Sequence, residues 1–288
     1  MKSTTLLLEY KKSFDFNQIL SFMKYRAIRG VEIITENNYS RTFRIDNTKG
    51  YFTVFNHPEK SSLRLKINCD DIKCYKPISH KVRKMFDLDT DFSFINEKFA
   101  QDELLSRGME DVHVPRLPIA FELFEHTIRA ILGQQITVRA ATTLAGRIVE
   151  KVSLKVNPNF PVGLDYFFPT PSELLKIDLD GLGITKTRQA TIKNVLNAIV
   201  NKAVCLRANQ PFDQFYRDFS SLKGIGDWTV HYVAMRGMGM VDSFPSRDLG
   251  IIKALTEDGK SPTQKEILNL AEKWRPYRAY AALCLWKS

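Results

Sequence analysis

Apolar positions change their period once along the chain. From residue 4 to 68 they alternate in short runs, which predicts strands near Thr5–Tyr10, Val31–Thr35, Arg41–Asp46, Tyr51–Phe55 and Leu63–Asn68. Asn37-Asn38, Asn47-Thr48-Lys49-Gly50 and His57-Pro58-Glu59-Lys60 supply the turns. One helix interrupts, about Asn17 to Arg26, with Ile19, Leu20, Phe22 and Met23 on its apolar side. This is the pattern of a small antiparallel sheet with helix cover, and it carries no evident catalytic chemistry.

From Ile78 onward, spacings of three and four replace alternation. Helices are predicted at Ile78–Phe86, Phe92–Ala100 and Asp102–Arg107. Val114-Pro115-Arg116-Leu117-Pro118 is a stiff link, and Pro118 suits the first turn of a helix that buries Ile119, Phe121, Phe124, Ile128 and Ile131 and stops at Gly133. Gln134-Gln135-Ile136-Thr137 bridges to a helix with Val138, Ala141, Leu144, Ala145, Ile148 and Val152 inward. Thr170-Pro171-Ser172-Glu173 is a capping box. Asp180-Gly181-Leu182-Gly183 reads as a turn before a helix from Lys186 to about Asn201. Ser261-Pro262-Thr263-Gln264 repeats the capping logic, and Trp274-Arg275-Pro276 separates the last two helices. The fold class is α+β, with an N-terminal antiparallel-sheet domain over residues 1–91 and an all-α region over 92–288.

The densest signal runs from Leu222 to Asp248, LKGIGDWTVHYVAMRGMGMVDSFPSRD. Phe212, Phe215, Tyr216, Phe219 and Leu222 recur at helical spacing before Gly224-Ile225-Gly226, and Trp228, Tyr232, Met235 and Met238 do so after it. Two helices joined by such a turn make a helix-hairpin-helix. Gly224 and Gly226 read as adopting backbone angles closed to other residues, with bare N–H groups that bind phosphate without reading sequence. Phe244-Pro245-Ser246-Arg247-Asp248 then delivers a carboxylate to the first turn of a helix, Leu249 to Leu255. An aspartate there is an ordinary N-cap, and a chemical role is compatible with capping.

Composition narrows the partner. The 288 residues are 44% apolar, enough for a real core, and the net charge of +10 points to a polyanion. Cys69, Cys74, Cys205 and Cys284 are scattered without metal spacing and read as reduced thiols of a cytoplasmic protein. The opening apolar run is too short for a signal peptide, and no stretch is long enough to span a membrane.

The segments LKGIGDWTVHYVAMRG, DSFPSRDLGIIKAL, RAILGQQITVRAA and WRPYRAYAALCLW together resemble the helix-hairpin-helix DNA glycosylases, and within them the DNA-3-methyladenine glycosylase II family, nearly end to end. The resemblance implies a sheet domain similar to half of the TATA-binding protein. It also implies two helical subdomains, about 116–238 and 92–115 plus 239–288, with the active site in the cleft between them. The expected activity is base excision repair: a monomer binds double-stranded DNA, flips out a damaged base and hydrolyses its N-glycosidic bond. Expected substrates are 3-methyladenine-type and other N-alkylated purines, with O2-alkylated pyrimidines.

Asp248 falls at the family's catalytic carboxylate, where it stabilises positive charge at C1′ or activates water; both roles are open. Trp228, Tyr232, Trp286 and Phe22 align with the base pocket, joined by Gln134, and such rings attract an electron-poor, cationic base. Gln135 falls where the family wedges a side chain, leucine in some members, into the vacated stack. Thr137, Lys223, Gly224, Gly226 and Arg247 are the implied DNA contacts, with Arg139 and Arg147 as further phosphate candidates. The family's hairpin holds a sodium or potassium ion through backbone carbonyls, here Ser220, Leu222 and Ile225; no organic cofactor is implied.

Two departures bear on the reaction. Bifunctional relatives carry a nucleophilic lysine where this chain has Trp228, so a monofunctional enzyme that leaves an intact abasic strand is expected. Leu249-Gly250 replaces the bulkier pair of some members and implies a wider pocket. No histidine sits beside Asp248 in the motif, His231 reading as a surface residue, which suits an alkylated purine that leaves as a neutral base. One alternative is a glycosylase for oxidised, deaminated or mismatched bases, which would carry the lysine or a four-cysteine iron–sulfur loop. Another is a non-catalytic helix-hairpin-helix DNA-binding protein, which needs no ring-lined pocket.

Overall fold

The computed structural model describes residues 2–11 and 14–288. The fold is α+β. In chain order the elements are β1 (Lys2–Glu9), α1 (Phe16–Lys24), β2 (Glu32–Ile34), β3 (Asn38–Ile45), β4 (Thr48–His57) and β5 (Ser62–Cys69), then α2 (Tyr75–Met85), α3 (Ser93–Ala100) and α4 (Glu103–Ser106). They continue with α5 (Leu123–Leu132), α6 (Val138–Val152), α7 (Pro171–Leu175), α8 (Lys186–Val200), α9 (Phe212–Ser220), α10 (Asp227–Val233), α11 (Leu249–Ala254), α12 (Gln264–Ala271) and α13 (Arg278–Leu285).

The five strands form one antiparallel sheet in the order β1-β5-β4-β3-β2. Alternation sets which face is covered: Phe52 and Val54 on β4 and Leu63, Leu65 and Ile67 on β5 are fully buried. The β3–β4 turn is tighter than the sequence suggests. Ile45 pairs with Thr48, so the loop is Asp46-Asn47 alone, with Asp46 at a φ of 51°. Gly50 lies inside β4, where a Cβ would meet Asn68 O at 2.3 Å and Phe43 Cζ at 2.7 Å. Its glycine serves close strand packing rather than a turn.

Backbone packing divides the chain into two compact units, Met1–Arg83 with Thr127–Cys205, and Lys84–His126 with Leu206–Ser288. In the first, Thr42 Oγ1 donates to Tyr166 O at 2.8 Å and Arg44 pairs with Glu173 at 2.7 Å, tying β3 to the start of α7. Burial alone would raise the Glu173 carboxyl, but the Arg44 and Thr170 donors outweigh it and bring it down to about 2. Thr170 and Glu173 complete the capping box read from the sequence.

In the second unit α13 is buried along its whole length, and Phe92, Phe99, Phe244, Ile267 and Trp274 belong to the same core. The sequence reading placed Pro118 in a helix; the chain stays non-helical until α5 begins at Leu123. Arg236 Nε donates to Pro118 O at 2.6 Å and the Ala120 N–H donates to Arg236 O at 2.7 Å, so this backbone is already spoken for outside a helix. The partner segment is a π-helical turn, Ala234–Met238, that continues α10. Gly237 within it packs closely: a Cβ would lie 2.6 Å from Leu123 Cδ1, so that side chain would have to shift. Among the described residues, no helix is long and apolar enough to cross a membrane.

Candidate active site

The site grows from the turn between α9 and α10. Phe215 and Phe219 bury the apolar side of α9, stacked at 5.1 Å. The Leu222 N–H bonds Phe219 O at 3.2 Å and the Ile225 N–H bonds Leu222 O at 3.0 Å, closing the hairpin. Gly224 does adopt the left-handed region, with φ 94°. Gly226 does not: as the N-cap of α10 it is extended, at φ −101°, and a Cβ there would meet nothing within 4 Å. What its glycine provides is open space outside the turn. Lys223 is exposed at the tip.

One helical turn apart on α10, Trp228 and Tyr232 stack at 5.0 Å with their planes 10° apart. The chain then passes through the π turn into a strap, residues 239–247, anchored by Phe244 edge-on to Trp274 at 5.9 Å. The Asp248 N–H bonds Pro245 O at 2.8 Å, and Asp248 caps α11.

Four N–H donors converge on the Asp248 carboxylate. Oδ1 accepts from Gly250 N at 2.9 Å, Ile251 N at 3.3 Å and Trp286 Nε1 at 2.9 Å. Oδ2 accepts one of the four, Trp228 Nε1 at 2.8 Å. Tyr232 lies 6.2 Å from Trp286 at 57°, and His126 lies 5.2 Å behind Tyr232. Asp248, Trp228, Tyr232 and Trp286 are each half-buried, so the carboxylate and its rings keep a face toward solvent. Trp228, Tyr232, Asp248 and Trp286, drawn from α10, the start of α11 and the end of α13, lie together.

The structure changes the reading of Gly250 and His231 and adds one neighbour, His126. Gly250 does not widen the pocket: a Cβ would lie 2.9 Å from Trp286 Cδ1 and 3.0 Å from Asp248 Oδ1, so the indole fills that space. Leu249 is 75% exposed. His231 is not a surface residue. Its side chain is 17% exposed, and Nδ1 lies 3.0 Å from Ser243 Oγ and 3.3 Å from the Phe244 nitrogen. His126 had no local signal, since its contact with Tyr232 spans over a hundred residues.

The other sequence candidates belong to the first unit, except Ser220 at the end of α9 and Arg247, which is exposed beside Asp248. Phe22 is half-buried on α1 with the Arg26 guanidinium 3.6 Å over its ring. Gln134 is half-buried, and its carbonyl accepts from Arg188 Nη2. Gln135 is exposed in a left-handed conformation, φ 57°, uncommon for a residue with a side chain. Thr137 caps α6 by accepting the Ala140 N–H at 3.2 Å. Arg139 is exposed, and Arg147 donates to Leu182 O at 2.9 Å.

The family described as the AlkA N-terminal domain matches residues 5–122. The probable bifunctional transcriptional activator/DNA repair enzyme AlkA of Mycobacterium tuberculosis is 30% identical over 285 residues, covering 99% of this chain. This chain spans only 57% of that relative's length. DNA-3-methyladenine glycosylase 2 of Escherichia coli is 27% identical over 283 residues, 97% of this chain and 95% of its own. In fold, the 3-methyladenine DNA-glycosylase from Archaeoglobus fulgidus superposes with a TM-score of 0.78 at 19% identity, over 98% of this chain and 97% of that one.

Proposed function

Because the chain belongs to the DNA-3-methyladenine glycosylase II family, we propose that it is a monofunctional DNA glycosylase of base excision repair. It acts in the cytoplasm as a monomer on double-stranded DNA, flips out an alkylated base and hydrolyses the N-glycosidic bond. The observation that carries this reading is the half-open Asp248 carboxylate held by two indole N–H groups inside a wall of three aromatic rings.

Breaking the C1′–N bond leaves the sugar oxocarbenium-like. Asp248, fixed beforehand by four donors, meets that charge without reorganising, which is the condition for effective electrostatic catalysis. Oδ2, with a single donor, is the oxygen able to face C1′ or to orient the attacking water. The indole and phenol faces favour a cationic, electron-poor base by stacking and cation–π attraction, about 0.5–2 kcal/mol per contact. Such a base leaves as a neutral molecule and needs no acid beside it. N-alkylated purines are therefore the preferred substrates.

No lysine stands at the position of Trp228, so the product is an intact abasic strand. Gly224, Gly226 and Lys223 grip a phosphate at the hairpin, helped by Thr137 and Arg247 elsewhere on the backbone. Gln135, exposed on its left-handed backbone, takes the place of the extruded nucleotide. The carbonyls of Ser220, at the end of α9, and of Leu222 and Ile225 in the turn are neutral oxygens near a negative helix end, a donor set that fits a sodium or potassium ion.

Incubation with duplex DNA carrying an N-alkylated purine tests the reading. Free base and an alkali-labile site are expected from the wild type, with Asp248→Asn strongly slowed but still bound to abasic DNA. Full activity in Asp248→Asn, or nicking without alkali, would overturn it.

A further inference from the structure

Besides the Trp228–Asp248 bond, the strap that carries Asp248 is fastened to α10 at His231. The His231 imidazole lies between Phe212 and Tyr216 of α9, at 5.1 and 6.0 Å, and residues 243–244 of the strap. Phe244 is 1% exposed, so its N–H must find a protein acceptor. It points at His231 Nδ1, 3.3 Å away. A backbone N–H can only donate, so making this bond requires an unprotonated Nδ1, with the ring's proton on Nε2, facing Asp227 Oδ1 at 3.7 Å. Ser243 Oγ, 3.0 Å from both Nδ1 and the His231 carbonyl, closes the joint. A proton on Nδ1 would set it against the Phe244 N–H, donor facing donor.

We propose that His231 is a positioning residue for Asp248: its neutral imidazole fastens the helix bearing Trp228 and Tyr232 to the strap bearing Asp248, and protonation loosens that joint. The inference rests on the reading of Asp248 as the acting carboxylate. Charges and titratable groups face the ring from three sides. Asp227 is on its own helix, Tyr216 of α9 donates to Asp227 at 3.0 Å, and Arg278 of α13 pairs with Asp242 of the strap at 2.8 Å. Burial pushes the imidazole below its ordinary value of 6.5, with Asp227 pulling it up and Arg278 pushing it down. The joint's contribution to stability is therefore complete above 6.5 and is lost as pH falls through the lowered folded value.

Nitrogen NMR of the histidine-labelled protein reads the joint without an assay. The Nε2–H tautomer is expected at neutral pH, and an Nδ1–H tautomer would overturn the proposal. Single-turnover excision across pH is then compared for wild type, His231→Asn and His231→Ala. Asparagine places an acceptor oxygen near the Nδ1 position and does not titrate. His231→Ala should lower the excision rate roughly tenfold with DNA affinity unchanged. His231→Asn should keep the neutral-pH rate and lose the wild type's decline in acid. An alanine variant as fast as wild type, or an asparagine variant with the same acid decline, would overturn the proposal. If wild type releases no base, the reading of Asp248 has failed, and the tautomer alone decides whether the joint exists. If the alanine variant does not fold, the asparagine variant and the tautomer decide.

Discussion

Two aspartates of the second unit hold nearly the same bonds. Asp102 caps α4 and Asp248 caps α11, and in each Oδ1 accepts the N–H groups two and three residues on, at 3.0 and 3.2 Å for Asp102 and 2.9 and 3.3 Å for Asp248. In each, Oδ2 accepts an indole N–H at 2.8 Å, from Trp274 and Trp228 respectively. The surroundings differ. Trp274 is 1% exposed, and the Lys273 ammonium lies 2.9 Å from Asp102 Oδ2. Asp248 has no basic side chain paired with it among the described residues; a second indole stands there instead. A capping carboxylate bound to tryptophan is thus a structural joint by default. An open ring wall and the absence of a paired basic side chain among the described residues set Asp248 apart.

The sharpest way to break the comparison is to neutralise each carboxylate in turn. Asp248→Asn should slow base excision about 100- to 1000-fold, as loss of a preorganised charged group does. Asp102→Asn should leave excision unchanged, so a loss in both would make the two sites equivalent. Next in size is stability. Asp102→Ala removes a cap and strands the buried Trp274 N–H, together about 2–4 kcal/mol. Asp248→Ala should cost less, because its indoles reach solvent; urea unfolding of the pair measures the difference.

Gly250→Ala comes third. It pushes the Trp286 indole off Asp248 Oδ1 and should lower the excision rate roughly tenfold, with a shift in tryptophan fluorescence. The smallest effect is on acid sensitivity. Burial acts to raise the Asp102 carboxyl, but the Trp274, Lys273 and Leu105 donors and the Lys273 charge outweigh it and hold it below 3.8. That stability is present above 3.8 and is lost as pH falls through the lowered value, so Asp102→Asn should flatten the acid limb of the melting curve.

Local signals in the sequence carried much of this. Alternation located five strands, the Thr170 box located a helix start, and the spacing of Trp228 and Tyr232 put them on one face, while the cap read at Ser261 falls two residues later, at Thr263. Family resemblance, rather than spacing, brought Trp286 to Asp248, thirty-eight residues away. The misreadings share a cause in long-range contacts. Pro118 looked like a helix start until Arg236 claimed its carbonyl. Gly250 looked like empty space until Trp286 filled it. His231 looked exposed because nothing in its own helix announces that Phe244 needs an acceptor.

The π-helical turn at Ala234–Met238 bears on how this chain tolerates change. Regular winding advances about 100° per residue, and a π turn works as one inserted residue in that count. Everything after Met238 therefore leaves α10 on a bearing set by this single extra step. Removing one residue there would spare every cap and every ring, yet swing the outgoing chain to another side of α10 and carry Asp248 away from Trp228. In length-changing variants, this short segment acts as the compass of the site.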